Sequence, residues 1–157
     1  MRVSVANRSA VNSPLADQVF GLDQLQAFMG SADAIVVTLP LTAQTQGLVG
    51  AQALSAMRPQ AVLLNVGRGP VVDEQALFDA LSQRRIGGAI IDTWYQYPNT
   101  AQPECAPSRL DFASLDNLVM TPHMSGWTEG TVRRRQQTMA DNIARLLAGQ
   151  PLVNRLN

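Results

Sequence analysis

The sequence has no lysine, one cysteine, one histidine and few aromatic residues, 5% in all. All 12 basic residues are arginines, so amine chemistry such as Schiff-base formation on a lysine is excluded. Cys105 stands alone, which rules out a disulfide within the chain and any cysteine metal cluster. That usage fits a reducing compartment, and the cytoplasm is expected. Charged residues make up only 15% and the formal net charge is zero. Nucleic acid and anionic membrane are therefore not expected as partners, because neither finds an electrostatic footprint here. No apolar run approaches the roughly 20 residues that cross a bilayer. The first six residues turn polar too soon for a secretory leader.

Enough apolar residues remain for a core. At 157 residues and 46% hydrophobic, the sequence predicts one globular domain, residues 1–157. Four apolar runs recur at 34–39, 61–66, 88–91 and 118–121, with starts 27, 27 and 30 residues apart. Continuous apolar character predicts parallel strands covered on both faces. The interval is that of a strand–helix–strand unit. Helices are expected at 22–29, 50–57, 73–82 and 128–147. Asp73 is expected to cap the third, and Gly87 and Gly88 to end it. Gly149 and Pro151 should stop the fourth, whose apolar stripe is Val132, Met139, Ile143 and Leu146. Val132 and Met139 are expected to mark its buried side, with Arg133, Arg134 and Arg135 as a solvated face. Residues 2–6 read as a further strand. Three prolines, Pro98, Pro103 and Pro107, make 95–111 an irregular crossing loop.

The single histidine, His123, directly follows the run Leu118-Val119-Met120 and Thr121-Pro122. Arg68 sits in Asn65-Val66-Gly67-Arg68-Gly69, at the end of Ala61-Val62-Leu63-Leu64, and Asp92 ends Ile90-Ile91-Asp92. Each thus stands where a buried strand opens into a loop, and in open α/β sheets those carboxyl ends line the ligand crevice. A guanidinium that holds a carboxylate, beside an imidazole that moves a proton, suits hydroxyl–carbonyl redox chemistry. The glycines flanking Arg68 predict a backbone approached closely, with a cofactor as the expected neighbour of Gly67.

Together these residues resemble the D-isomer-specific 2-hydroxyacid dehydrogenases. The likeness runs through Leu39-Pro40-Leu41-Thr42 with Thr45 and Gly47-Leu48, then Leu64-Asn65-Val66-Gly67-Arg68-Gly69, Val72-Asp73-Glu74, Gly88-Ala89 with Asp92, and Thr121-Pro122-His123 with Ser125-Gly126. It covers nearly all of the chain from Val3 to Asn157. The resemblance implies a Rossmann-like α/β fold: a doubly wound, mostly parallel sheet that binds NAD(P). It implies that Arg68 holds the substrate carboxylate and that His123 is the acid/base. It further implies that Asp92 contacts the nicotinamide end, with Thr38, Pro40, Val66 and Gly126 in the cofactor bed.

Two features depart from the family pattern. The glycine-rich turn G-x-G-x-x-G, which carries the pyrophosphate, is absent, as are its strand and helix. The chain therefore resembles the C-terminal half of such an enzyme, a partial NAD(P)-binding domain. A strand at 2–6 would lack its central neighbour, and a homo-oligomer is expected to fill the gap. The second departure is Tyr97-Pro98, where the family places a glutamate before proline. That glutamate keeps the family's histidine charged near neutrality, so its loss predicts an altered pH profile. Asn7, Arg8 and Ser9 occupy the position of the family's ribose-reading acid. An amide, a cation and a hydroxyl there favour NADP(H) over NAD(H). The implied activity is hydride transfer between nicotinamide and a small 2-oxo or 2-hydroxy acid. The alternative is an inactive, truncated relative that serves as a binding or assembly module.

Overall fold

The computed structural model describes residues 1–9 and 11–155. Asn157, where the resemblance ends, lies outside the described residues. The chain forms two compact units, Met1–His123 and Met124–Asn157.

In the first unit the apolar runs become β3 (Ala34–Val37), β4 (Val62–Asn65), β5 (Gly88–Ile91) and β6 (Leu118–Met120). They pair in that order, all parallel, with Ala34 opposite Val62, Val62 opposite Gly88 and Ala89 opposite Leu118. Helices α1 (Leu25–Ser31), α2 (Ala51–Ser55) and α3 (Glu74–Ser82) lie between the strands in sequence. Met29, Leu54, Leu77 and Leu81 of these helices join Ile35, Val37, Leu63, Ala89 and Ile91 in one core. Phe112 is buried in the same core, edge-on to Phe78 and Trp94.

Burial corrects one expectation. The strands are not apolar because both faces are covered: in β3, Ile35 and Val37 are buried while Ala34 and Val36 are exposed. Val119 in β6 is 55% exposed. One sheet face carries the core, and on the other Val62, Leu64 and Ile90 are half-buried while Val36 and Val119 are exposed.

A second correction concerns the start of the chain. Strand β1 (Ser4–Ala6) pairs in parallel with β2 (Gln18–Phe20), a strand too short to leave a periodic signal. The two form a sheet of their own. Among the described residues, β1 and β3 each pair on one side only. The hydrogen bond from Arg8 Nη1 to Gln44 Oε1, 3.3 Å, ties the exit of β1 to the loop beyond β3.

The helix ends follow local chemistry. Asp73 caps α3 by accepting the Ala76 N–H at 2.8 Å. Gly87 and Gly88 do not end that helix; Arg84, in the left-handed region at φ 51°, does. Gly87 is small for another reason, since a Cβ there would meet the Gln60 carbonyl oxygen at 2.5 Å.

In the second unit, α4 (Glu129–Leu147) is capped by Thr128, which accepts from the Thr131 N–H at 3.1 Å. It closes at Gly149, φ 65°, with Gly149 N–H donating to Leu146 O and Gln150 N–H to Arg145 O. That pair of bonds is the Schellman arrangement. The expected buried side of α4 is not buried: Met139, Ile143 and Leu146 are 59%, 61% and 67% exposed.

The Asp73 cap gives a direct test. Asp73→Ala should lower stability by about 1 kcal/mol, the usual worth of an N-cap. A urea melt with an unchanged midpoint would show that the cap contributes nothing.

Candidate active site

Three consecutive parallel strands deliver the three singled-out side chains. Arg68 follows β4, Asp92 follows β5, and His123 lies three residues beyond β6. All therefore leave the same edge of the sheet. Arg68 and His123 do not sit on adjacent strands, as β5 runs between theirs. At the usual strand spacing, the axes of β4 and β6 lie roughly 10 Å apart.

The arginine turn is built by Asn65, which is buried. Its Oδ1 accepts the Gly67 N–H at 3.1 Å, and its Nδ2 donates to the Arg68 carbonyl at 3.1 Å. One amide side chain thus fastens both sides of the turn. Sequence reading placed Asn65 in the motif but gave it no role. Its sign was a polar residue closing a buried strand. Arg68 itself is exposed and donates from Nη1 to the Gly67 carbonyl at 2.7 Å.

The close approach expected at the flanking glycines is made by the backbone of neighbouring loops. A Cβ on Gly67 would strike the Leu39 carbonyl oxygen at 2.6 Å. A Cβ on Gly69 would run into the Trp94 carbonyl. The turn is wedged between the exit loops of β3 and β5.

Thr38, Pro40, Val66, Gly67 and Arg68 come together, with Leu39 and Leu41, around an open groove of about 400 Å³. It lies across the carboxyl ends of β3 and β4. Its wall mixes apolar side chains with a hydroxyl, a cation and backbone polar groups, a lining able to hold part of a dinucleotide. Asn7, Arg8 and Ser9 stand apart from it, at the carboxyl end of β1. There Asn7 Nδ2 donates to Ser9 O at 3.2 Å, and Arg8 and Ser9 are exposed. Gly126 belongs to the second unit. No strand, glycine-rich turn and helix that could cradle a pyrophosphate occurs among the described residues.

Asp92 is buried, and its Oδ1 accepts the Thr121 hydroxyl at 2.6 Å. Trp94 Nε1 donates to the Thr121 carbonyl at 3.0 Å, so the exits of β5 and β6 are stitched together twice. His123 follows this stitch. Its backbone is left-handed, φ 57°, a conformation uncommon outside glycine and frequent at functional loops. Its Nδ1 lies 3.0 Å from the Tyr97 hydroxyl, and that hydroxyl oxygen accepts the Trp94 N–H at 2.9 Å. Tyr97 thus reaches the histidine from the position where the family's glutamate stands.

Tyr97 is held by the crossing loop. The Pro107 carbonyl accepts from the N–H groups of Tyr95 and Gln96. Glu74, at the start of α3, accepts from Ser108 Oγ at 2.7 Å and from Arg109 Nε at 2.7 Å. The neighbouring Tyr95 is partly buried and stacked on Phe112. Burial, then the carboxylates of Glu74 and Asp73, push its phenol well above the usual tyrosine range.

Asn65→Ala should strand the buried Gly67 N–H. An unsatisfied buried donor costs roughly 1–3 kcal/mol. The expected results are a lower denaturation midpoint and faster hydrogen exchange at the Gly67 amide. An amide that exchanges as in the parent would show that Asn65 does not hold the turn.

Comparisons with known proteins identify the family and the fold. Residues 1–125 match the model of the D-isomer specific 2-hydroxyacid dehydrogenase, NAD binding domain. A glyoxylate/hydroxypyruvate reductase B of Enterobacter agglomerans is 36% identical over 133 residues, 85% of this chain and 39% of that one. A D-isomer specific 2-hydroxyacid dehydrogenase family protein from Aeromonas salmonicida superposes with a TM-score of 0.81 at 32% identity, over 100% of this chain and 48% of that one. An NADPH-dependent glyoxylate/hydroxypyruvate reductase from Sinorhizobium meliloti, in complex with NADP and malonate, gives a TM-score of 0.75 at 28% identity. It matches over 97% of this chain and 44% of that one. The chain spans less than half the length of each of these relatives. On the match to its residues 1–125, this chain belongs to the D-isomer specific 2-hydroxyacid dehydrogenase family and corresponds to the NAD binding domain.

Proposed function

We propose that the chain is a partial NAD(P)-binding domain, residues 1–157, of an NAD(P)-dependent 2-hydroxyacid dehydrogenase. The observation that carries this reading is the delivery of Arg68, Asp92 and His123 to one sheet edge by β4, β5 and β6, beside the groove at Thr38, Pro40, Val66 and Gly67. Arg68 holds the carboxylate of a small 2-oxo or 2-hydroxy acid through its guanidinium fork. His123 gives a proton to the substrate oxygen in reduction and takes it back in oxidation. Asp92, held by Thr121, faces the nicotinamide end. A bound nicotinamide supplies or accepts the hydride. Asn7, Arg8 and Ser9 support NADP(H) over NAD(H), because a cation suits a 2′-phosphate that a carboxylate would repel. The zero net charge and the single cysteine fit a cytoplasmic protein with no nucleic-acid or membrane partner.

A second reading, a module for binding or assembly without turnover, is favoured by Tyr97 standing in place of the family's glutamate. Calorimetric titration with NADPH separates the two. Micromolar binding, weaker for NADH, is expected. No heat at millimolar NADPH would leave only the assembly module. In the presence of NADPH, Arg68→Gln should weaken binding of malonate, used as a carboxylate probe, by about tenfold or more. Equal affinity in the two proteins would remove Arg68 from the site.

The single-sided pairing of β1 and β3, with the exposed apolar stripe of α4, supports a homo-oligomer. Light scattering should report a mass of at least two chains, and a compact monomer would contradict it.

A further inference from the structure

The Tyr97–His123 contact carries more than a replaced carboxylate. The Tyr97 oxygen already accepts the Trp94 N–H at 2.9 Å, and His123 Nδ1 lies 3.0 Å from the same oxygen. A phenol has one proton to give. Among the described residues that proton has one acceptor within reach, His123 Nδ1. If Nδ1 carried a proton instead, the oxygen would accept twice and its own hydrogen would turn to solvent. The arrangement that places every donor has the phenol donating to a bare Nδ1. We infer that Tyr97 is a positioning residue that fixes neutral His123 as the Nε2–H tautomer, turning a protonated Nε2 toward the crevice.

This deepens the acid/base assignment of His123 and rests on it for its consequence. The neutral ring then meets a substrate oxygen as a hydrogen-bond donor. To act as a base at Nε2, the ring must first carry its proton on Nδ1, and the Tyr97 hydroxyl must turn from donor to acceptor. The same turn is needed when the ring is doubly protonated. A hydroxyl can do both, whereas a carboxylate can only accept. The ordinary family arrangement therefore imposes Nδ1–H, and this chain imposes the opposite tautomer on the same ring. The Trp94 N–H, which already occupies one lone pair of the phenol, favours this direction, because a second N–H donated to the same oxygen would leave the phenol proton without a protein acceptor.

The lone histidine makes the test clean. In the full chain labelled with ¹⁵N-histidine, long-range ¹H–¹⁵N correlation at a pH where the ring is neutral reads the tautomer directly. The expected parent pattern is a pyrrole-like Nε2 and a pyridine-like Nδ1. In Tyr97→Glu the two should exchange character. In Tyr97→Phe, a milder change at a half-exposed ring, Nδ1 should move toward Nε2 as the tautomers average. A pyrrole-like Nδ1 in the parent would overturn the inference, and so would a pattern unchanged in whichever variant folds. The readout needs neither cofactor nor turnover. Failure of the dehydrogenase reading, seen as absent NADPH binding, is therefore distinguishable from failure of the tautomer assignment.

Discussion

The site depends on backbone meeting backbone at Gly67 and Gly69. The arginine turn passes between the exits of β3 and β5 with no room for a side chain on either glycine. Close packing of this kind transmits position, since interiors at crystal density do not deform freely. Asn65 locks the turn from below with two hydrogen bonds. Arg68 is therefore an exposed cation on a rigid mount, and rigid mounting is what recognition of a planar carboxylate requires.

The opposite wall is assembled differently. There the contacts are polar: Thr121 to Asp92, Trp94 to Thr121, Tyr97 to His123. The long proline-bearing loop would have little reason to hold one shape alone. Its anchorage to Glu74 at the start of α3 supplies one, since Glu74 takes both Ser108 and Arg109. The chain thus couples the capped end of a helix, through a loop, to the orientation of one imidazole.

Much of this was legible in the sequence. The strands at β3 to β6, the Asp73 cap and the positions of Arg68, Asp92 and His123 followed from apolar runs and the residues ending them. What misled was inference from character to environment. Val36 and Val119 are apolar yet exposed, because a hydrophobic run records what a strand can bury, not what covers it in this chain. The same holds for Met139, Ile143 and Leu146 on α4. Gly67 and Gly69 announced a close approach, but sequence cannot say what approaches. Strand β2 is three residues long, below the length at which periodicity means anything. The Tyr97–His123 bond was visible only as a missing glutamate. The Trp94 N–H on the same oxygen could be found only from the coordinates.

The left-handed backbone at His123 constrains how the residue can be interrogated. Glycine and asparagine occupy that region with little penalty, alanine less easily, and β-branched residues poorly. An alanine knock-out would mix loss of the imidazole with a relaxed loop. Asparagine removes the ring and keeps the main chain at ease, which makes it the informative null allele at this position.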